Sequence, residues 1–139
     1  MNTDELQTRL AGIDLFQGLS KRALKQLIRA GRQTEHDDGR EVIAEGSGAI
    51  GFHFITAGEA RVTSGTTVRR TLGVGDYFGE ISVIDGQPRS ASVEAVGSLE
   101  TFAIHPHVFQ KIIDDHPDFA RGLLVVLCKR LREAEKSSS

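Results

Sequence analysis

The length, charge and cysteine content of this chain exclude several classes of protein. Its 139 residues are enough for one domain with a hydrophobic core. A net charge of -2 gives no general positive field for nucleic acid, and the single cysteine, Cys128, excludes an intrachain disulfide. No apolar run reaches membrane-spanning length, and the opening MNTDELQTRL is acidic and polar, unlike a signal peptide. We expect a cytoplasmic protein that contacts neither membrane nor nucleic acid directly.

Helical periodicity dominates residues 1–31. Leu6 and Leu10 recur at helical spacing, and Ser20 offers an N-cap for the amphipathic segment KRALKQLIRA. Gly31 follows that segment and is expected to end it. The pattern predicts N-terminal helices over this part of the chain.

Short apolar runs separated by glycine turns occupy residues 32–104. Phe52 and Phe54 are separated from Val62 by Gly58, and further runs follow up to Ile104. Closely spaced turns between short strands favour an antiparallel jelly-roll β-barrel. The predicted class is therefore α+β and mainly β, with this barrel flanked by N-terminal and C-terminal helices. Residues 91–95 and 99–104 are predicted to be two separate strands.

Helical spacing returns over residues 105–136, where Pro106 and Pro117 each suit a first helical turn. The run LLVVLC, Leu123–Cys128, is apolar on every side. Either this helix contacts a second surface, such as a partner subunit or a ligand mouth, or it is simply well buried. Cys128 is interpreted as an inert core thiol. The whole chain, 1–139, is predicted to be a single domain.

The stretch GDYFGEISVIDGQPRSASVEA, residues 75–95, carries an unusual combination of residues. A single helical turn beginning after Gly79 would direct the N–H groups of Ile81 and Ser82 out of its N-terminus, where an anion binds. Gly79 has no Cβ to keep a ligand away. After the short link Asp85–Pro88, the planar guanidinium of Arg89 suits two phosphate oxygens, and Ser90 adds a hydroxyl donor. This set favours a bound anion.

Glu80 is the exception, because a carboxylate pressed against a phosphate would repel it. A carboxylate a few ångströms away could instead accept a hydrogen bond from a sugar hydroxyl. The stretch therefore suggests one end for phosphate and another for ribose. An ion pair between Glu80 and Arg89 is the simpler alternative, but it does not explain Gly79.

This stretch closely resembles the phosphate-binding cassette of the cyclic nucleotide-binding domain family, found in catabolite-activator-like regulators, cyclic-nucleotide-dependent kinases and gated channels. Residues 78–93 form the matching cassette, and the likeness extends over nearly the whole chain. The resemblance implies that Glu80 accepts from the ribose 2′-hydroxyl and that Arg89 pairs with the cyclic phosphate. It implies ligand contacts at Phe78, Gly79, Glu80, Ile81, Ser82, Arg89, Ser90 and Ala91.

The resemblance implies a non-enzymatic sensor whose C-terminal helices relay ligand occupancy to a partner. Ser90 is compatible with cAMP, whereas threonine there is often associated with cGMP, so cAMP is favoured. The residues expected over the base, near Ala134 and Glu135, lack the hydroxyls of the activators. Leu123–Leu131 is the predicted contact for an effector or a second copy. The alternative is a ligand-free interaction or dimerisation module on the same fold.

A metal-dependent enzyme is the third hypothesis. His105-Pro106-His107 resembles the H-x-H pair of cupins, but VFQKII follows it and contains no carboxylate. Catalytic residues, metal ligands and cofactors are therefore not predicted, and the cyclic nucleotide is the expected ligand.

Overall fold

The computed structural model describes residues 1–43, 51–87 and 91–138. The predicted turn at 45–48 and the cassette residues Pro88, Arg89 and Ser90 lie outside the described residues. The backbone divides into two units, one formed by Met1–Ile28 with Lys111–Ser139 and the other by Arg29–Gln110.

The described part of the second unit contains one antiparallel sheet of six strands. The strands are β1 (Arg32–His36), β2 (Glu41–Ile43), β3 (Phe52–Ser64), β4 (Thr67–Leu72), β5 (Tyr77–Phe78) and β6 (Ser92–Ile104). Their order in the sheet is β1-β6-β3-β4, with β2 also paired to β6 and β5 to β3. This topology confirms the predicted antiparallel β architecture with helices before and after it.

The prediction of separate strands at 91–95 and 99–104 was wrong, because both segments belong to the 13-residue strand β6. The long strand β3 likewise continues through Gly58, where we expected a break. Gly58 and Gly97 have φ values of 85° and 70°, and the β3–β6 register shifts on both sides of Ala57. Glycine in the left-handed region lets each strand bulge and continue without ending the sheet.

The hydrophobic core of the sheet unit includes one buried cluster contributed by the four strands β3, β4, β5 and β6. Aromatic contacts extend the packing toward α4 (Pro106–Asp115): the rings of Phe52 and Phe109 lie 5.6 Å apart. The buried cluster consists of Ile55, Ala60, Val62, Leu72, Phe78, Val93, Ala95 and Leu99, with Val42 and Ala91 packed against it.

The first unit is helical, as predicted. It contains α1 (Thr3–Ala11), a 3₁₀ turn at Asp14–Phe16, most of α2 (Lys21–Ala30) and α5 (Pro117–Ser138). Ser20 caps α2 as expected, because its hydroxyl accepts a hydrogen bond from the Ala23 N–H at 3.1 Å. The rings of Phe16 and Phe119 lie 5.8 Å apart, which packs the 3₁₀ turn against α5.

Helix α5 buries one side of its apolar run and exposes the other. Leu123 is 3 % exposed, whereas Leu124 and Leu131 are 63 % and 61 % exposed. Cys128 is also exposed, so its interpretation as a core thiol was wrong. The helical period of 3.6 residues explains this result, since residues 124, 128 and 131 lie about 100°, 140° and 80° around the helix from Leu123. Within the described residues, no helix has the length and apolarity to cross a membrane.

Substitution of Gly58 tests the bulge in β3. A Cβ at Gly58 would collide with the backbone carbonyl of Ser98 in a conformation that already disfavours side chains. Gly65 also has positive φ, but a Cβ there would meet nothing within 4 Å. We expect Gly58→Ala to lower the free energy of unfolding by about 3 kcal/mol or more, and Gly65→Ala by about 1 kcal/mol. Urea unfolding of both variants measures this difference, and equal losses would contradict the proposed close approach.

Candidate functional site

The first limb of the predicted cassette begins where β5 ends at Phe78. Gly79 follows with φ 91° and ψ -2° and is the N-cap of α3 (Glu80–Asp85). This left-handed conformation is one that side chains disfavour, so a glycine is required at the point where the chain turns from strand to helix. The helical turn expected from the sequence is therefore present and begins where it was predicted.

The first turn of α3 separates its side chains into two environments. Glu80 and Ser82 are 6 % and 5 % exposed, whereas Ile81 is 56 % exposed. The first N–H groups of any α-helix lack acceptors within the helix and point out of its N-terminus. Gln110 packs beside this helix and donates a hydrogen bond from Nε2 to the Val83 carbonyl at 3.1 Å. The helix thus places a carboxylate inside the protein next to a group of backbone donors.

The second limb returns to the same part of the core. Ala91 is partly buried and packs against the hydrophobic cluster to which Phe78 belongs. Ala91 directly precedes β6, and Val93 within that strand is a member of the cluster as well. The two limbs, separated in the chain by α3 and its following link, therefore converge on one cluster.

The predicted site residues thus fall into two groups. Phe78, Gly79, Glu80, Ile81 and Ser82 form one continuous corner of strand and helix, and Ala91 meets that corner through the shared core. Arg89 and Ser90 lie outside the described residues, so their phosphate contacts stay predictions.

Sequence analysis missed a partly buried polar chain next to this corner. Thr34 Oγ1 lies 3.0 Å from His36 Nε2 and 2.7 Å from Thr101 Oγ1. Thr101 Oγ1 lies 2.9 Å from His53 Nδ1. The chain joins β1, β6 and β3, so its members have no common spacing in the sequence. Only the antiparallel pairing of these strands brings them together.

His36 opens onto a cleft of about 630 Å³ in the sheet unit. Burial lowers the pKa of the His36 imidazole, and the nearby positive charge of Arg40 lowers it further. Nδ1 of His36 is buried and has no hydrogen-bond partner among the described residues. The folded chain therefore favours the neutral imidazole.

The two histidines of the H-x-H pair contact each other at the start of α4. The rings of His105 and His107 stack at 5.1 Å, and the His107 N–H donates to His105 Nδ1 at 3.1 Å. This bond caps the start of α4. Across the described ranges, no group of three or more histidine, cysteine or acidic residues could hold a metal ion.

Comparison with known proteins identifies the family to which this chain is related. A family model described as "Cyclic nucleotide-binding domain" matches residues 33–116. The solved sensor domain of the transcriptional regulator DNR from Pseudomonas aeruginosa superposes with a TM-score of 0.83 at 22 % identity. That superposition covers 96 % of this chain and 93 % of the DNR domain, and it establishes similarity of fold.

Two curated relatives extend the comparison to whole proteins. The cGMP-dependent protein kinase of Plasmodium berghei is 37 % identical over 101 residues, which are 72 % of this chain and 12 % of the kinase. A CRP-like cAMP-activated global transcriptional regulator of Mycobacterium tuberculosis is 26 % identical over 133 residues, which are 92 % of this chain. The chain spans 59 % of the length of that regulator.

The lowered pKa of His36 predicts how stability changes with pH. Above about pH 6.5 the imidazole is neutral in both the folded and the unfolded chain, so its contribution to stability is complete. As the pH falls below this value, the unfolded chain takes up the proton first, and the free energy of unfolding decreases until the lower folded pKa is reached.

We expect His36→Gln to reduce this acid-induced loss of stability. Urea unfolding at about pH 7.5 and about pH 5.5 measures the loss in each variant. His107→Gln is the control, because His107 is an exposed histidine. An unchanged pH dependence in His36→Gln would contradict the assignment.

Proposed function

Because the chain belongs to the cyclic nucleotide-binding domain family, we propose that it binds a cyclic nucleotide between the two limbs of its cassette and acts as a non-catalytic regulatory sensor. The observation that carries this proposal is the convergence of Phe78 and Ala91 on one core cluster. The limb that begins at Phe78 carries the buried Glu80, and the limb that ends at Ala91 carries Arg89 just before it.

In the proposed complex, each end of the ligand meets a group of suitable chemistry. The guanidinium of Arg89 forms a charge-assisted pair with the cyclic phosphate, with donors from Ser90 and from the first turn of α3. Glu80 accepts the ribose 2′-hydroxyl. Its burial strengthens this bond, since a hydrogen bond to a charged group is stronger away from water.

We favour cAMP over cGMP as the ligand. Ser90 supports this choice, because it matches the residue that the resemblance associates with cAMP. The mycobacterial relative is described as cAMP-activated and the Plasmodium relative as a cGMP-dependent kinase, so the two relatives point to different bases. The choice therefore depends on the cassette itself and is open to direct titration.

The proposed output surface is the exposed side of α5. Leu124, Val125 and Leu131 present an apolar face that an effector or a second copy could cover. A ligand shifts the equilibrium between conformations that expose this face and conformations that cover it only if it binds one of them more tightly. Nucleotide occupancy would thus change how often this face is available to its partner.

Nucleotide titration tests the proposed function. We expect cAMP to raise the free energy of unfolding by roughly 2.7 kcal/mol at one hundred times its dissociation constant, with cGMP giving a smaller increase at the same concentration. Thermal unfolding and calorimetry measure both effects. No response to either nucleotide at millimolar concentration would contradict the proposal.

Arg89→Ala tests the phosphate end separately. We expect a loss of about 2–5 kcal/mol in cAMP binding with the fold retained, because one partner of a charged pair is removed. Arg69→Ala is the matched control, since Arg69 is an exposed arginine on β4. Equal affinities for the two variants would exclude Arg89 from the phosphate site.

A ligand-free dimerisation module is the second candidate, and the exposed apolar side of α5 is the observation that favours it. It predicts a dimer in light scattering without nucleotide, and a monomer after Leu124→Lys with Leu131→Lys. Val68→Lys, at an exposed valine on β4, is the control. A dimer combined with no nucleotide response would support this candidate, whereas a monomer in every state would refute it.

A further inference from the structure

Helix α5 has a groove of about 460 Å³ on its exposed surface. Six side chains line this groove, and they form two rows in which successive residues are four positions apart. Such rows are ridges on a helix surface, and the groove between two ridges is where a ridge of another helix packs. The first row consists of Arg121, Val125 and Lys129, and the second of Leu124, Cys128 and Arg132.

The middle of the groove is apolar and open to solvent. Leu124 and Val125 are 63 % and 62 % exposed, and the thiol of Cys128 between the two ends of the groove is exposed as well. The helix packs against its own unit through other residues, such as Phe119 and Leu123, which do not line the groove. Neighbouring apolar side chains left exposed in this way mark a surface that another molecule covers.

Three cations surround this apolar middle. Arg121 lies at the N-terminal end of the groove, and Lys129 and Arg132 lie toward its C-terminal end. None of the three forms an ion pair with another described residue. The described lining contains no carboxylate, because the acidic residues of the helix lie outside it, at Asp118, Glu133 and Glu135.

Two other occupants complement this charge poorly. A second copy packed symmetrically about the middle of the groove would set Arg121 opposite the same arginine if the helices were parallel, and opposite Arg132 if they were antiparallel. Both arrangements bring like charges together. An anionic membrane attracts chains with an excess of positive charge, whereas this chain has a net charge of -2. A helix with carboxylates beside an apolar ridge complements the groove in both charge and shape.

Building on the nucleotide-dependent output surface proposed above, we propose that this groove binds an acidic amphipathic helix of the effector. The apolar ridge of that helix contacts Leu124, Val125 and Cys128, and the carboxylates beside the ridge pair with the three surrounding cations. Nucleotide and effector helix then bind the same chain, so each changes the affinity of the other by the same factor.

A synthetic helical peptide of about 20 residues tests the chemistry of the partner. Its leucines recur three and four residues apart on one face, and glutamates lie on both sides of them. We expect it to bind at least roughly tenfold more tightly than the same peptide with lysine in place of each glutamate. Arg132→Glu should weaken the glutamate peptide and strengthen the lysine peptide. Arg69→Glu, at an exposed arginine on β4, is the control and should change neither affinity.

Cys128 reports where the peptide binds, because it is the only cysteine in the sequence and lines the groove. Bound peptide should slow its alkylation by N-ethylmaleimide at least roughly fivefold. Leu124→Lys should remove both the binding and this protection. Val68→Lys, at an exposed valine on β4, should retain both. Unchanged alkylation in the presence of bound peptide would overturn the assignment to this groove.

The outcomes separate this proposal from the function on which it depends. If cAMP binds but the glutamate peptide does not, or if both peptides bind equally, the partner chemistry is overturned and the nucleotide function stands. If the glutamate peptide binds and neither cyclic nucleotide does, the groove is supported and the nucleotide function is overturned. Equal peptide affinity with and without saturating cAMP would overturn the link between them.

Two further measurements test the other occupants directly. Light scattering of the chain alone would overturn the proposal if it showed a dimer that Leu124→Lys dissociates. Cosedimentation with vesicles that contain an anionic phospholipid would overturn it if the chain bound them in preference to the glutamate peptide. A monomer that ignores these vesicles and binds the glutamate peptide is the expected result.

Discussion

The packing of two distant chain segments on one hydrophobic cluster is the constraint on which the site depends. Phe78 brings the end of β5 to this cluster, and Ala91 brings the start of β6 to the same place. The intervening α3 has its ends at two glycines in the left-handed region, Gly79 and Gly86. A short helix held in this way has little freedom to change direction, so the core determines where its N-terminus and its first carboxylate lie.

The burial of the Glu80 carboxylate indicates which kind of ligand group suits this position. A carboxylate that is 6 % exposed has lost most of its contact with water, and such burial is costly unless hydrogen bonds replace the hydration. Its location in the first turn of α3 offers partial compensation, because the helix dipole favours negative charge there. A ribose hydroxyl is a donor of the right kind for such a group, whereas a second anion is not. The burial therefore supports separate positions for sugar and phosphate.

The start of the cassette could be predicted from the sequence because its signals are local. Gly79 marks a left-handed turn, and the residues after it suit a helical turn, so identity and conformation agree over a few positions.

The continuity of β3 and β6 could not be predicted in the same way. In the sequence, Gly58 and Gly97 look like the ends of strands. In the structure, β3 and β6 pair on both sides of these glycines, so both strands continue past them. Tertiary hydrogen bonding outweighs the local preference of glycine for turns.

Two further differences arise from long-range structure. Cys128 lies in an apolar run, yet the side of α5 that faces the core is set by Phe119 and Leu123, which leaves the cysteine on the opposite side. The His–Thr chain depends on the register of β1 and β3 on either side of β6. That register is a property of the folded sheet, so spacing along the chain does not reveal it. Local patterns predicted an anion site with Arg89 and a sugar contact at Glu80, and the resemblance to a family specified the cyclic phosphate and the ribose 2′-hydroxyl as their partners.

The most direct test of the account is the coupling between Glu80 and the ribose 2′-hydroxyl. Calorimetry would compare cAMP with 2′-deoxy-cAMP in wild type and in Glu80→Gln. A hydrogen bond to a charged group contributes about 1.5–3 kcal/mol, so removing the hydroxyl should weaken wild-type binding roughly tenfold or more. In Glu80→Gln, the two ligands should differ much less. Equal binding of the two ligands by the wild type, or the same difference in both proteins, would contradict the assignment of Glu80 to the sugar.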